Sequence, residues 1–574
     1  MPNSLTLRVG GDTGTTTGVI STGEMLTIAF ARSQYDVFTF RTNPAEIKGG
    51  QAMFQVRIGN HPILAQGTTL DLLVAYDGEA LKTHGKDLKP EGLVIFDTDA
   101  FIPDENYVKQ SYGVPMSSIA QNEAGSKKSK NVVALGVAAE MLGLPMESVK
   151  TVLHEQFKHK SDKVVEANWK AFEAGWSWAL KNTVSKDFHV PPRELKVAKL
   201  IMSGNEAMAV GALHAGCRYY AGYPITPASE ILEFMEKEMP RYDGFAIQTE
   251  DEIAAITSCI GASFAGAKAM TATSGPGFSL MMEALGLASM VELPLVIVDC
   301  QRGGPSTGLP TKTEQSDLNQ AVFGSHGEAP RVVMAPSNVK DCFFGIIKAF
   351  NIAEKYQIPV IFLSDQSLSQ RTQTFTLPKL SSIEIWDRVL AAPHEESYMR
   401  YKLTENGVSP VAIPGRHAST YVATGLEHNE NGDPNYTPAN HFRMMQKRFK
   451  KLENISKEKG FTRRFGDDHA KLGIISWGST EGPIEQAIRT ANKAGIEVAA
   501  LQVKMLHPLP DEEIRNFLNS VEQVLVPEIN YTGQFNQLIR AKYMVDTIPL
   551  NKCAGVPFSP EEIYNKIEEI VSKS

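Results

Sequence analysis

Cysteine is scarce in this chain of 574 residues and is never paired. Cys217, Cys259, Cys300, Cys342 and Cys553 stand more than 40 positions apart and form no CxxC. That excludes the spacing of a zinc or iron–sulfur site and the density of a disulfide scaffold, leaving small buried hydrophobes in a reducing compartment. Basic runs are scarce too. KRFKK at 447 to 451 stands alone, and 57 Lys+Arg against 65 Asp+Glu give a net charge of -8, so nucleic acid is disfavoured as a partner. No apolar stretch approaches the ~18 residues that would span a bilayer. MPNSLTLRVGGDTG also lacks a charged region followed by an apolar core. A soluble, cytoplasmic protein is expected.

What the chain does have is alternation of strand and helix patterns, and its length suggests roughly three to four domains. In the first 180 residues, LTLRVGG, DLLVAY and GLVIFDTD are strand-like and GVISTGEMLTIAFARS is helical. Two helical stretches from KNVVALG to WALKN close this unit. TVSKDFHVPPREL, polar and Pro-rich, is expected to be a linker. A second α/β block offers strands in FAIQTE, AKAMTATS, LPLVIVDCQ, PRVVMA and IPVIFLSD, which predicts a doubly wound parallel sheet. Residues 385 to 440 are rich in Gly, Pro, Asn and Thr and are expected to form a long ordered arm. A third α/β block follows, with strands in KLGIISWG, EVAALQV and QVLVPE and a last amphipathic helix in SPEEIYNKIEEIVSK. The fold class is therefore α/β in three domains, at 1–190, 196–384 and 466–574, with an arm over 385–465.

Four stretches of the second block invite chemistry. In AGYPITPASEIL, Pro224 and Pro227 hold Tyr223 and Thr226 extended, so Thr226 either caps the following helix or points its hydroxyl at a ligand. TATSGPGFSL stops a strand at Ser274, Gly275 and Gly277 and turns into a helix, presenting backbone N–H groups with little bulk. Glu250, Asp251 and Glu252 crowd a helix start. Acids there complement the helix dipole, but one facing an apolar pocket would have a raised pKa suited to proton chemistry. The loop DCQRGGPSTGLPTKTEQ sets Arg302, Thr307, Lys312 and Thr313 among glycines and prolines, either as solvated cations or as ligand contacts. All four stretches fall at strand ends, where open parallel sheets bind ligands.

YPITP, TSGPG and RGGPSTGLPTKTEQ, in this order, resemble the α subunit of 2-oxoacid:ferredoxin oxidoreductases, which use thiamine diphosphate. GGDTGTTTG and NPAEIKGGQAMFQVRI resemble that family's γ domain, fused in front, while IISWGST and VKMLHPLPDEEI resemble the C-terminal domain of transketolase. The resemblance implies a pyrimidine-binding sheet over 196–384 and a coenzyme A side in the first domain. It also implies a glutamate that hydrogen-bonds the thiamine aminopyrimidine. Glu252 stands nine positions before Gly261, the spacing of related enzymes, with Glu250 as the alternative. Tyr223, Pro224, Ser274, Gly275 and Gly277 fall where the cofactor is held. Thr226 and Arg302 fall where the 2-oxo and carboxylate groups are held, Lys312 where a second carboxylate is met, and Lys48 of EIKGG where coenzyme A is contacted.

The GDG and downstream Asn with which thiamine enzymes hold diphosphate and Mg²⁺ are missing; YDGEA and NGDPN are the nearest approaches. By resemblance, a β subunit supplies the diphosphate site, Mg²⁺ and a [4Fe-4S] cluster, in an (αβ)₂ heterotetramer that reduces ferredoxin. The expected reaction converts 2-oxoglutarate and coenzyme A to succinyl-CoA and CO₂, or runs in reverse. A pyruvate or broad-specificity enzyme of the same family is the alternative. A self-sufficient transketolase or decarboxylase and a non-catalytic binding protein are the rivals from other classes.

Overall fold

Apolar alternation in SLTLRVGGD builds a central strand of an eight-stranded sheet. The computed structural model describes residues 4–13, 18–44, 49–182, 188, 190–191, 198–392, 398–416 and 420–573. Strand Ser4–Asp12 pairs antiparallel with Gln51–Gly59 and parallel with Leu70–Ala75. Asp36–Thr42 and Gln51–Gly59 were not distinguished as strands from sequence. Apolar cover on both faces buries nearly every residue of Gln51–Gly59 and the first half of Asp36–Thr42, which removes the period-2 signal. Helices Lys130–Met141 and Asp162–Lys181 pack backbone against backbone: a Cβ on Gly136 would lie 2.3 Å from the Phe172 carbonyl oxygen, and one on Gly175 2.1 Å from that of Val133. Neither position has room for a side chain.

The chain forms two compact units, Met1–Met202 with Arg371–Pro378, and Ser203–Gln370 with Lys379–Ser574. This differs from the expected division at 196–384. Strand Thr372–Thr376 belongs to the first unit, where Gln373 pairs with Phe38. Most of the expected linker lies outside the described residues, but Val190 within it is buried and its carbonyl accepts the Tyr35 hydroxyl at 2.7 Å.

In the second unit, a seven-stranded sheet runs 505–507, 332–334, 359–365, 295–301, 268–273, 217–222, 245–248, parallel throughout except for its first member. The expected parallel sheet is present. A five-stranded sheet follows, parallel in the order 498–503, 472–477, 523–528, 548–551, with Thr462–Gly466 antiparallel at one edge. Ile297, Leu363, Trp477 and Leu501 share one apolar core, so the second and third blocks are packed as a single body.

Among its described residues the arm has little regular structure before helix Pro438–Ile455, apart from the bridges Leu390 to Val411 and His428 to Pro434. Buried charge anchors it instead. Arg388 is bidentate to Glu354 at 2.7 Å on both bonds and donates to the Ser263 carbonyl at 2.7 Å. Lys447 meets both carboxylate oxygens of Glu292 at 2.7 Å, and Lys451 meets one at 2.5 Å, with all three side chains at most 2% exposed. The two ammonium groups hold the Glu292 carboxyl far below the usual range despite its burial. Glu292→Gln should therefore cost about 3–5 kcal/mol, because two ammonium groups are left buried beside an amide. Lys450→Gln, on the solvent side of the same helix, should stay within about 0.5 kcal/mol. Denaturant titration distinguishes the two.

Candidate active site

Strands Leu295–Gln301, Lys268–Thr273, Cys217–Gly222 and Phe245–Gln248 are consecutive and parallel. Their carboxyl ends therefore release RGGPSTG, SGPG, YPITP and TEDE side by side. This brings together the stretches that the sequence separates by up to about eighty positions.

The three adjacent acids have three different surroundings. Glu250 is exposed. Asp251 caps helix Glu252–Phe264, its carboxylate accepting the Ala254 N–H at 2.7 Å. Glu252 is only 5% exposed, and burial, helped by the Asp251 charge, raises its carboxyl above the usual range. What it packs against is Gly277. A Cβ there would stand 2.4 Å from Glu252 Oε1 and 2.1 Å from Thr273 Oγ1, so the absence of a side chain admits the carboxyl beneath the SGPG turn. Ser274 caps the short helix Gly275–Leu280 without a side-chain bond. Its hydroxyl donates to the Cys300 carbonyl at 2.8 Å and ties two strand ends together. Tyr223 and Pro224 lie exposed at the next strand end.

Thr226 is not the helix cap. Helix Ser229–Glu238 begins after Ala228, which makes no side-chain cap bond, and Thr226 is exposed. Pro227 and Ala228 separate its hydroxyl from the first turn. Arg302 is buried, donates from Nη1 to the Thr226 carbonyl at 2.8 Å and from Nη2 to the Thr307 carbonyl at 3.3 Å, and keeps Nε without a partner. Lys312 closes the hairpin, its carbonyl accepting the Gly303 N–H at 3.0 Å. Its stem lies on Gly555, where a Cβ would come within 2.9 Å of Lys312 Cβ. Thr313 donates to Asp365 at 3.0 Å and is fully buried, a packing role. Lys48 lies outside the described residues.

A cavity of about 690 Å³ opens beside Arg302, between Gly275, Ser306 and Asp317 on one side and Tyr531, Thr532 and Cys553 on the other. Lys312 is not among its lining residues. The wall from the C-terminal block was not anticipated, although INYTGQ also follows a parallel strand, Gln523–Glu528, at its carboxyl end. Gln315 joins the two sides: its backbone N–H meets the Ile529 carbonyl at 2.7 Å and its side chain accepts the Ile529 N–H at 3.1 Å. Glu528, fully buried, accepts from Trp477 Nε1, Phe535 N and Asn536 N at 3.2, 2.8 and 3.0 Å and so fixes the Tyr531 loop. Gly277→Ala should cost about 1–3 kcal/mol through overpacking against Glu252. Gly286→Ala, with open space around the added Cβ, should be neutral or stabilising by up to about 1 kcal/mol. Unfolding curves of the two variants read this difference.

Three family profiles match along the chain. Residues 6–178 match pyruvate ferredoxin/flavodoxin oxidoreductase, 210–447 the thiamine diphosphate-binding part of pyruvate flavodoxin/ferredoxin oxidoreductase, and 470–563 core domain II of pyruvate:ferredoxin oxidoreductase. The protein is 35% identical to 2-oxoglutarate oxidoreductase subunit KorA of Mycobacterium tuberculosis, over 98% of this chain and 90% of that one. It is 30% identical to the α subunit of 2-oxoacid:ferredoxin oxidoreductase 2 of Aeropyrum pernix, over 99% and 98%. Among solved structures, the 2-oxoglutarate:ferredoxin oxidoreductase of Magnetococcus marinus, with 2-oxoglutarate, coenzyme A and succinyl-CoA bound, superposes with a TM-score of 0.93 at 42% identity, covering 99% of this chain and all of that one. With all three blocks matched in order and the glycine turn, buried glutamate and arginine gathered at one sheet edge, the chain belongs to the 2-oxoacid:ferredoxin oxidoreductase family.

Proposed function

We propose that this chain is the fused γ–α subunit of a 2-oxoglutarate:ferredoxin oxidoreductase, which converts 2-oxoglutarate and coenzyme A to succinyl-CoA and CO₂ and passes two electrons to ferredoxin. The observation that carries the reading is the buried Glu252 carboxyl beneath Gly277. The likeness to the Magnetococcus marinus enzyme, over 99% of the chain, supports the choice of substrate. Thiamine diphosphate, when bound, supplies a nucleophilic carbon for the 2-oxo group and accepts the electrons left on loss of CO₂. The chain's own residues fit that cofactor: a carboxyl whose proton affinity is raised by burial can keep or move a proton at Oε1, and Gly277 above it carries no Cβ. Arg302 offers the 1-carboxylate a buried guanidinium whose Nε–H has no partner, and exposed Thr226 offers a hydroxyl beside it.

A β subunit completes the site in this reading, bringing the diphosphate-binding motif, Mg²⁺ and the [4Fe-4S] cluster, and two such pairs form the assembly. Lys48 is assigned to coenzyme A, where an ammonium suits a phosphate. None of the described helices is long and apolar enough to cross a membrane, in keeping with a soluble assembly that we place in the cytoplasm. A second reading, a broad-specificity 2-oxoacid enzyme, is favoured by one observation: Lys312 lies along Gly555 and does not line the cavity.

Co-expression with its β partner and assay of 2-oxoacid-dependent, coenzyme A-dependent ferredoxin reduction tests the proposal; a complex inactive on every 2-oxoacid sinks it. In that complex Glu252→Gln should slow C2-proton exchange of thiamine by at least ~10²-fold while Glu250→Gln leaves it unchanged. The reverse pattern would transfer the role to Glu250. Lys312→Ala should lower kcat/KM for 2-oxoglutarate by about 2 kcal/mol more than for pyruvate if the ammonium reads the distal carboxylate. Equal losses on both substrates would favour the broad-specificity reading.

A further inference from the structure

Beneath Arg302 lie two aspartates that the motifs leave without a role. Asp299 sits inside the apolar strand Leu295–Gln301, fully buried, and neither of its carboxyl oxygens has a hydrogen-bond donor. The group it faces is the carboxyl of Asp317, within hydrogen-bonding reach, with Arg302 the nearby cation. Asp317 is held by its backbone N–H, which donates to Gln301 Oε1 at 3.0 Å. Its Oδ2 is buried without a donor and would lie 2.8 Å from a Cβ on Gly275. The charged groups facing Asp317 are Asp299 on the strand, Glu314 on its own loop and Arg302 on the hairpin. Glu252 lies against Gly277 of the same turn.

Two buried carboxyls that face each other without a donor cannot both be anions; one proton must lie between them to serve as the donor. Apolar residues of similar size would pack this spot at lower cost, so a purely structural role is poorly served by the pair. Burial and the Asp317 charge push Asp299 well above the usual carboxylate range, and burial with the Glu314 charge pushes Asp317 up to about 6, while the hydrogen bond with Asp299 favours the Asp317 anion. Asp317 also lines the cavity beside Arg302, so its charge is felt where an anionic substrate would enter.

We propose that Asp299 and Asp317 share one proton beneath Arg302, and that the charge state of this pair sets how firmly Arg302 holds the substrate carboxylate. The proposal rests on the reading that Arg302 meets that carboxylate. With the pair neutral, Arg302 acts as an uncompensated cation. Once Asp317 has lost its proton, the pair carries one negative charge that offsets the guanidinium and weakens anion binding. Asp299 and Asp317 are thus positioning residues that act through Arg302.

The test measures KM and kcat separately against pH for 2-oxoglutarate in the assembled complex. In the wild type, KM should rise as pH increases through about 6. Asp317→Asn should abolish that rise and lower KM above it by about tenfold, the effect of one charge several ångströms away at an effective dielectric near 20. Asp299→Asn replaces the shared proton with a fixed N–H donor, which stabilises the Asp317 carboxylate and should move the rise to lower pH. A titration of Glu252 would appear in kcat and persist in both variants. Infrared spectra of the unliganded chain with ¹³C-aspartate should show a protonated-carboxyl band near neutral pH that Asp299→Asn removes. The same pH dependence of KM in all three proteins, or no such band, would overturn the proposal. A wild-type complex that turns over no 2-oxoacid would overturn the functional reading and with it the tuning role, while the infrared band still decides the shared proton by itself.

Discussion

A carboxyl group can be tucked under a strand-to-helix turn only if the turn has no side chain in the way, and Gly277 meets that condition for Glu252. The arrangement of the site follows from this contact. Burial takes Glu252 out of water and raises its proton affinity, which makes it suited to proton exchange with a bound cofactor. Its neighbours stand in different surroundings. Asp251 is committed to the helix cap and Glu250 stays in solvent.

The sheet makes the contact possible. Glu252 begins a helix after one edge strand, Gly277 lies in the first turn of the helix after the strand two places in, and parallel pairing sets the strand ends level. Because crossover connections carry the chain behind the sheet, loops distant in sequence are delivered to a common edge. Glu528 and Gln315 extend this edge into the C-terminal block, whose Tyr531 loop becomes the far wall of the cavity. Both residues are buried polar groups with several partners, so they specify one loop conformation where apolar packing would permit many.

Irregular chain is held by the same means. Most of the arm's described residues lie outside strands and helices, and the backbone alone could not keep them in place. Arg388 with Glu354, and Lys447 and Lys451 with Glu292, lock it by fully buried ion pairs whose disruption leaves charge stranded away from water.

Local pattern in the sequence determined the class of each block, the limits of most strands in the second and third blocks to within two residues, and the four candidate loops that the sheet brings to one edge. Strand and helix periods are properties of a few neighbouring residues, and a glycine–proline turn announces itself wherever it stands. Gln51–Gly59 shows neither alternation nor an unbroken apolar run, because Gln55 is buried among its apolar residues and Arg57 interrupts them, so the local pattern does not reveal it as a strand. Only the tertiary structure decided which strands are adjacent, that Thr372–Thr376 joins the first unit, and that the second and third blocks share one core. It also decided which of three consecutive acids is buried, that Thr226 is not a cap, and that Asp299 faces Asp317. Each of these depends on pairing and burial between residues far apart along the chain, and no window of sequence contains both partners.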